Sequence, residues 1–275
     1  MWRNQRVFGG PVRAVILDWA GTAVDHGSCA PAGVFVRAFA NAGVTVSMAA
    51  ARRPMGVAKR EHVRQMCADP EVAAAWQTAH GRPSTVTDED ALYADAAALQ
   101  IACLPDFADP IAGVPEVVEA LRRRGVRVAG TTGYTREMLD VLAEAAAARG
   151  YAPEMRVGAS EVVEGRPAPF MIFEAMSRLG VWPVQAVVKA GDTPVDIEAG
   201  LNAGVWTVGV ALTGNMVGLN APELAALSDD QRADRLRVAR QQLLDAGAHY
   251  VVDGVRDLLP VIDDIEARLA RGERP

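Results

Sequence analysis

Between residues 113 and 210, short β-branched runs alternate with helix-length segments, and few folds accept that pattern. GVPEVVEALRRRG (113–125) reads as a helix closed by glycine, and VRVAG (126–130) as a strand running into the polar loop TTGYT. Helices are expected over 135–149, 169–179 and 194–203, with strands at AVVKA (186–190) and VWTVGV (205–210). An upstream strand joins this set, because Arg13 to Leu17 is apolar, β-branched and ends on Asp18. Strands separated by helices require a parallel sheet with right-handed crossovers. The tail, 221–271, adds two helical stretches around the short strand HYVVDG.

The first strand is separated from the rest by a long stretch without a convincing strand. From Pro31 to Ala42 the apolar Val34, Phe35, Ala38 and Phe39 fall at helical spacing, and Gly43 suits a C-cap. Helical patterns follow around 48–53, 57–68, 71–79 and 88–103, the last with Thr87 as its expected N-cap. The chain is therefore expected to be α/β, with a core from 1–26 and 105–275 and a separate helical domain over 27–104.

Composition narrows the function. A net charge of -6 argues against a broad nucleic-acid surface. No apolar run approaches the roughly 20 residues of a membrane-spanning helix. MWRNQRVFGG, at the start, lacks the apolar core of a signal peptide. Cys29, Cys67 and Cys103 form no CxxC pair and read as reduced thiols, so a cytoplasmic protein is expected. Of 28 basic residues only Lys59 and Lys189 are lysines. A coding bias toward arginine accounts for that, but under such a bias a retained lysine is a candidate for amine chemistry that a guanidinium does not supply.

Ligands of parallel sheets sit at the carboxyl ends of the strands. Asp18, Thr131, Thr132 and Asp192 are all expected there. Asp18, Asp192 and Asp196 form a carboxylate set suited to a hard cation such as Mg²⁺. The competing reading is that Asp192 or Thr193 caps the helix beginning at Pro194. Thr131 and Thr132, followed by Gly133, suit a phosphate oxygen or simply a capped turn, and Arg166 in EGRPAP suits a phosphoryl charge or a solvated loop.

DWAGT (18–22), TTGYT (131–135), GRP (165–167) and GDTPVD (191–196), in that order, resemble the haloacid dehalogenase superfamily of phosphotransferases. Ala20 in DWAGT, RPMGVAKREHVR (53–64) and TTGYTREM (131–138) bring the resemblance closer to its phosphonatase branch, the phosphonoacetaldehyde hydrolase family. The resemblance implies a Rossmann-like core with an α-helical cap, bound Mg²⁺, a homodimer and a small phosphonate substrate. It implies Asp18 as nucleophile, Asp18, Ala20 and Asp192 at the metal, and Thr131, Thr132, Arg166, Met55 and Tyr134 around the substrate. It picks out Lys59 as an imine-forming amine; His62, three residues on and so on the same helix face, is either its proton carrier or a surface or satisfied histidine.

Most phosphatases of the superfamily carry a second aspartate where Ala20 stands, as the acid for an alkoxide leaving group. A P–C bond would release a carbanion instead, and a protonated imine on a β-aldehyde turns that leaving group into a neutral enamine. An acid at position 20 is then not required. Two rival readings are an ordinary phosphatase or phosphomutase, disfavoured by Ala20, and a non-catalytic binding protein, disfavoured by Asp18, Lys59 and Asp192 together.

Overall fold

The computed structural model describes residues 7–275; the first six residues of the expected core segment and of MWRNQRVFGG lie outside them. Strands β1 (Ala14–Asp18), β2 (Arg127–Thr132), β3 (Met155–Gly158), β4 (Val187–Gly191), β5 (Trp206–Val210) and β6 (Tyr250–Val252) form one sheet in the order β3-β2-β1-β4-β5-β6. Every pairing is parallel, and Asp18 stands level with Thr131 in the register of β1 on β2. The α/β expectation holds.

β1 is buried along its whole length, and its alternation divides the core. Val15 and Leu17 point to one side, into a cluster with α6 (Val114–Arg123), α7 (Arg136–Ala147) and α12 (Leu258–Ala270). Ala14 and Ile16 point to the other, against α8 (Phe170–Leu179) and α9 (Pro194–Ala203). A strand covered on both faces must be apolar throughout, which is why AVIL precedes Asp18. Beyond β5 the short α10 (Ala221–Ala225) and α11 (Asp229–Asp245) complete the tail before β6.

Between β1 and β2 come α1 (Cys29–Asn41), α2 (Met48–Arg52), α3 (Lys59–Ala68), α4 (Pro70–His80) and α5 (Val86–Cys103). Their inner faces build an apolar cluster drawn only from this stretch, including Phe35, Phe39, Val63, Met66, Trp76 and Leu92.

Two local expectations are corrected. The cap of α5 is Thr85, not Thr87: Thr85 Oγ1 accepts from the Asp88 N–H while Asp88 accepts from the Thr85 N–H. That reciprocal box satisfies two backbone donors, which a cap at Thr87 would leave open. β3 was not anticipated. It is a four-residue edge strand, MRVG, too short to stand out from the loops that flank it, and is held by its pairing to β2.

Candidate active site

The site assembles where β1, β2 and β4 end. Asp18 is 5% exposed at the tip of β1, and the chain then turns tightly, with the Ala23 and Val24 N–H groups donating to the Trp19 carbonyl. Gly21 has φ +84°, and a Cβ there would stand 2.3 Å from Asp192 Oδ2. Glycine at this point of DWAGT is what lets the β1 and β4 loops touch. Thr22 Oγ1 closes the contact by donating to Asp192 Oδ1 at 3.0 Å.

Asp18, Asp192 and Asp196 bring carboxylate oxygens within 4.8 Å of one another, all buried. Their roles separate by partner. Asp196 accepts from Arg166 Nη1, from Lys189 Nζ at 2.8 Å and from Thr193 Oγ1 at 2.6 Å. Burial opposes its charge, but Arg166 and Lys189 prevail and bring its pKa down to about 2. The capping role weighed for Asp192 thus falls to Thr193 and Asp196. Asp192 instead accepts from the Asn215 backbone N–H at 2.8 Å and from Thr22, and burial, Asp18 and Asp196 push its pKa well up. Burial likewise raises Asp18, against the pull of Arg166, whose Nη1 lies 3.1 Å from Oδ1. That Oδ1 accepts no hydrogen bond from the described residues. A buried oxygen with an ion pair but no hydrogen bond, beside a second carboxylate under like-charge stress, is what a bound cation relieves. The triad therefore fits a metal, with Asp18 and Asp192 the open members and Asp196 already neutralised.

The helical stretch supplies the opposite wall. The loop from Arg53 to Ala58 descends onto the core so closely that a Cβ on Gly133 would stand 2.5 Å from the Val57 carbonyl oxygen. Lys59, the first residue of α3, is 7% exposed, with Nζ 4.7 Å from the Tyr134 ring centre and 5.6 Å from that of Phe35. Burial, then the nearby Arg166 charge, lower its pKa to about 7 against the pull of Asp18 and Asp25. A large fraction of this amine is neutral near pH 7. Lys189, by contrast, is enclosed in β4 with Nζ on the Ala190 carbonyl and Asp196, and is structural, as its place in a strand suggests.

Of the expected site residues, Asp18, Ala20, Met55, Lys59, Thr132, Tyr134 and Arg166 line one cleft with about 280 Å³ of empty space. Asp192 lies just behind it. Thr131 is not among the lining residues; its hydroxyl is buried and without a hydrogen-bond partner among the described residues. Alternation along β2 sends it to the opposite face from Thr132. His62 is fully buried and stacked on Phe35, ring centres 3.9 Å apart. Its Nε2 meets the Ala51 carbonyl at 2.9 Å, so Nε2 carries the proton and Nδ1 is bare. Burial, then Lys59, hold His62 well below the ordinary histidine range. Ser28, Pro31, Gly56 and Thr193 also line the cleft. For Ser28 and Pro31 the sequence carries no signal, since only the fold brings the start of α1 over the sheet.

Comparison with known proteins agrees with this geometry. The description "Hydrolase: haloacid dehalogenase-like hydrolase" matches residues 12–204. A phosphonoacetaldehyde hydrolase of Nitratidesulfovibrio vulgaris is 52% identical over 98% of this chain and 96% of its own. One of Paraburkholderia xenovorans is 47% identical over 96% and 99%. The crystal structure of a phosphonoacetaldehyde hydrolase-like protein from Oleispira antarctica superposes over the whole of both chains with a TM-score of 0.97 at 42% identity. At these identities over nearly the whole of each sequence, the chain belongs to the phosphonoacetaldehyde hydrolase family of the haloacid dehalogenase-like hydrolases.

Proposed function

We propose that the chain hydrolyses the P–C bond of phosphonoacetaldehyde to phosphate and acetaldehyde, with residues 27–104 as a cap over a core of 1–26 and 105–275. One observation carries the reading: a buried lysine with its pKa near 7 shares a small cleft with the strand-end Asp18, and position 20 offers no acid. Lys59 adds to the aldehyde and water leaves, giving an imine that is protonated on nitrogen. His62, bare at Nδ1, is the group that moves protons in this step. Arg166 and Thr132 hold the phosphonate, while Met55 and Tyr134 wall the aldehyde end. Thr131, turned from the cleft, supports β2 beneath Thr132. Asp18 then attacks phosphorus. The P–C bonding pair passes to the iminium and leaves an enamine on Lys59 and an aspartyl phosphate on Asp18. Protonation of the enamine at carbon and hydrolysis of the imine release acetaldehyde and free Lys59, and a second water cleaves the acyl phosphate. Asp18, the Ala20 carbonyl and Asp192 would hold Mg²⁺, which when bound would supply charge neutralisation of the phosphonate toward an anionic nucleophile.

No helix among the described residues is long and apolar enough to cross a membrane. The three cysteines are free, which supports a reducing cytoplasm. Val163, Phe170 and Phe173 are exposed beside one another at the β3 edge, and that apolar patch supports a homodimer. The deciding assay incubates the protein with phosphonoacetaldehyde and Mg²⁺ and measures both products. Equimolar phosphate and acetaldehyde are expected. Phosphate released from ordinary esters, with no acetaldehyde from the phosphonate, would return the chain to the phosphatases.

A further inference from the structure

Arg52 ends α2, at the root of the loop that carries Met55 and leads to Lys59. Its guanidinium reaches out of the helical stretch. Nη1 donates to the carbonyls of Gly27 at 2.8 Å and Ser28 at 3.3 Å, where the nucleophile loop passes into α1. The same nitrogen donates to Asn215 Oδ1 at 2.8 Å. Asn215 belongs to the loop after β5 and is buried, and its own backbone N–H donates to Asp192 Oδ2. The guanidinium also packs over Gly218 in that loop, where a Cβ would stand 3.0 Å from Cζ. Arg52 itself does not line the cleft.

We infer that Arg52 is a positioning residue that ties the seating of the lysine-bearing loop to the orientation of Asp192, through Asn215. The inference rests on reading Asp192 as a cation ligand. Its physical basis is the hydrogen-bond sequence guanidinium, carboxamide, backbone N–H, carboxylate. Without Arg52 the buried Asn215 carbonyl oxygen loses its donor, which is unfavourable enough for the 211–219 loop to relax. The N–H on Asp192 moves with it, so the carboxylate is no longer held for the metal. Coupling of this kind is reciprocal: a cation on Asp192 favours the seated loop as much as the seated loop favours the cation.

The test is calorimetric titration of Mg²⁺ into the substrate-free full chain, with thermal melts run in parallel. The set is wild type, Arg52→Ala, Arg52→Lys, Asn215→Ala and the double variant Arg52→Ala/Asn215→Ala. Arg52→Ala should weaken Mg²⁺ binding about tenfold or more, the usual effect of removing a group behind a metal ligand. Arg52→Lys, with one compact donor in place of a fork, should fall between. The double variant should bind no more weakly than the weaker single, because both break one sequence of contacts. Unchanged Mg²⁺ affinity with a lowered melting temperature in Arg52→Ala would make the residue a plain strut and overturn the inference, as would additive losses. Should Arg52→Ala not fold, wild-type affinity in Arg52→Lys overturns it equally. A wild-type chain that binds no Mg²⁺ removes the metal reading and this inference together, whereas wild-type binding indifferent to Arg52 removes the inference alone.

Discussion

Lys59 is held where a charged amine is poorly solvated, and this has consequences for both rate and stability. Imine formation needs the neutral amine, so kcat/KM should rise as pH climbs through about 7 and level off above it. An ordinary lysine would keep the profile rising toward pH 10. For stability the folded-state pKa lies below the unfolded one. Between about 7 and 10.5 the unfolded chain therefore binds more protons, and the Lys59 contribution grows with pH across that window. Below about 7 the whole penalty is present, on the order of a few kcal/mol. Lys59→Met should accordingly abolish turnover and raise the melting temperature by several degrees at pH 7, with a smaller gain at pH 10. A melt that is unchanged or lowered at pH 7 would contradict the depressed pKa. At Asp18 the expectation is simpler: Asp18→Ala should release no phosphate and keep the wild-type circular dichroism spectrum, since the carboxylate ends a strand and supports no packing. Asp192→Ala should behave like wild type in excess chelator, inactive but folded. Full activity under chelation would exclude an essential metal.

At the scale of elements, what decides function is how closely the 53–58 loop approaches the ends of β2 and β4. Gly133→Ala places a Cβ 2.5 Å from the Val57 carbonyl, so the loop must lift. Displacing Lys59 by about 1 Å should lower kcat/KM on the order of a hundredfold with little change in melting temperature, a pairing read by kinetics and calorimetry together. Elements were legible in the sequence to the degree that burial wrote a pattern. β1, β4 and β5 are covered on both faces and show as apolar runs, whereas β3 lies at an edge and shows none. The Thr85 cap is written as T-x-x-D, but Thr87 stands closer to the apolar run and offers the same side chain. In the site, residues within motifs were legible because chemistry restricts their type. Ser28, Asn215 and the Arg52 contact were not, because they depend on distant segments meeting in space: Arg52 lies 24 positions from Ser28 and 163 from Asn215.

For the molecule as a whole, two surfaces, the sheet ends and the helical stretch, meet at one cleft. The sheet ends bring Asp18, Arg166 and the carboxylate cluster, and the helical stretch brings a lysine able to be neutral. On the proposed function neither half would suffice, since Asp18 without the imine would face a carbanion leaving group and Lys59 without Asp18 would have no phosphoryl acceptor. The most direct measurement is borohydride reduction during turnover of phosphonoacetaldehyde, followed by peptide mapping, on wild type and Lys59→Arg. Inactivation of the wild type with one covalent adduct, on Lys59, is expected. Lys59→Arg, where the charge is kept and the nucleophile is gone, should show neither adduct nor P–C cleavage. A label on Lys189, or undiminished cleavage by Lys59→Arg, would contradict the imine on Lys59.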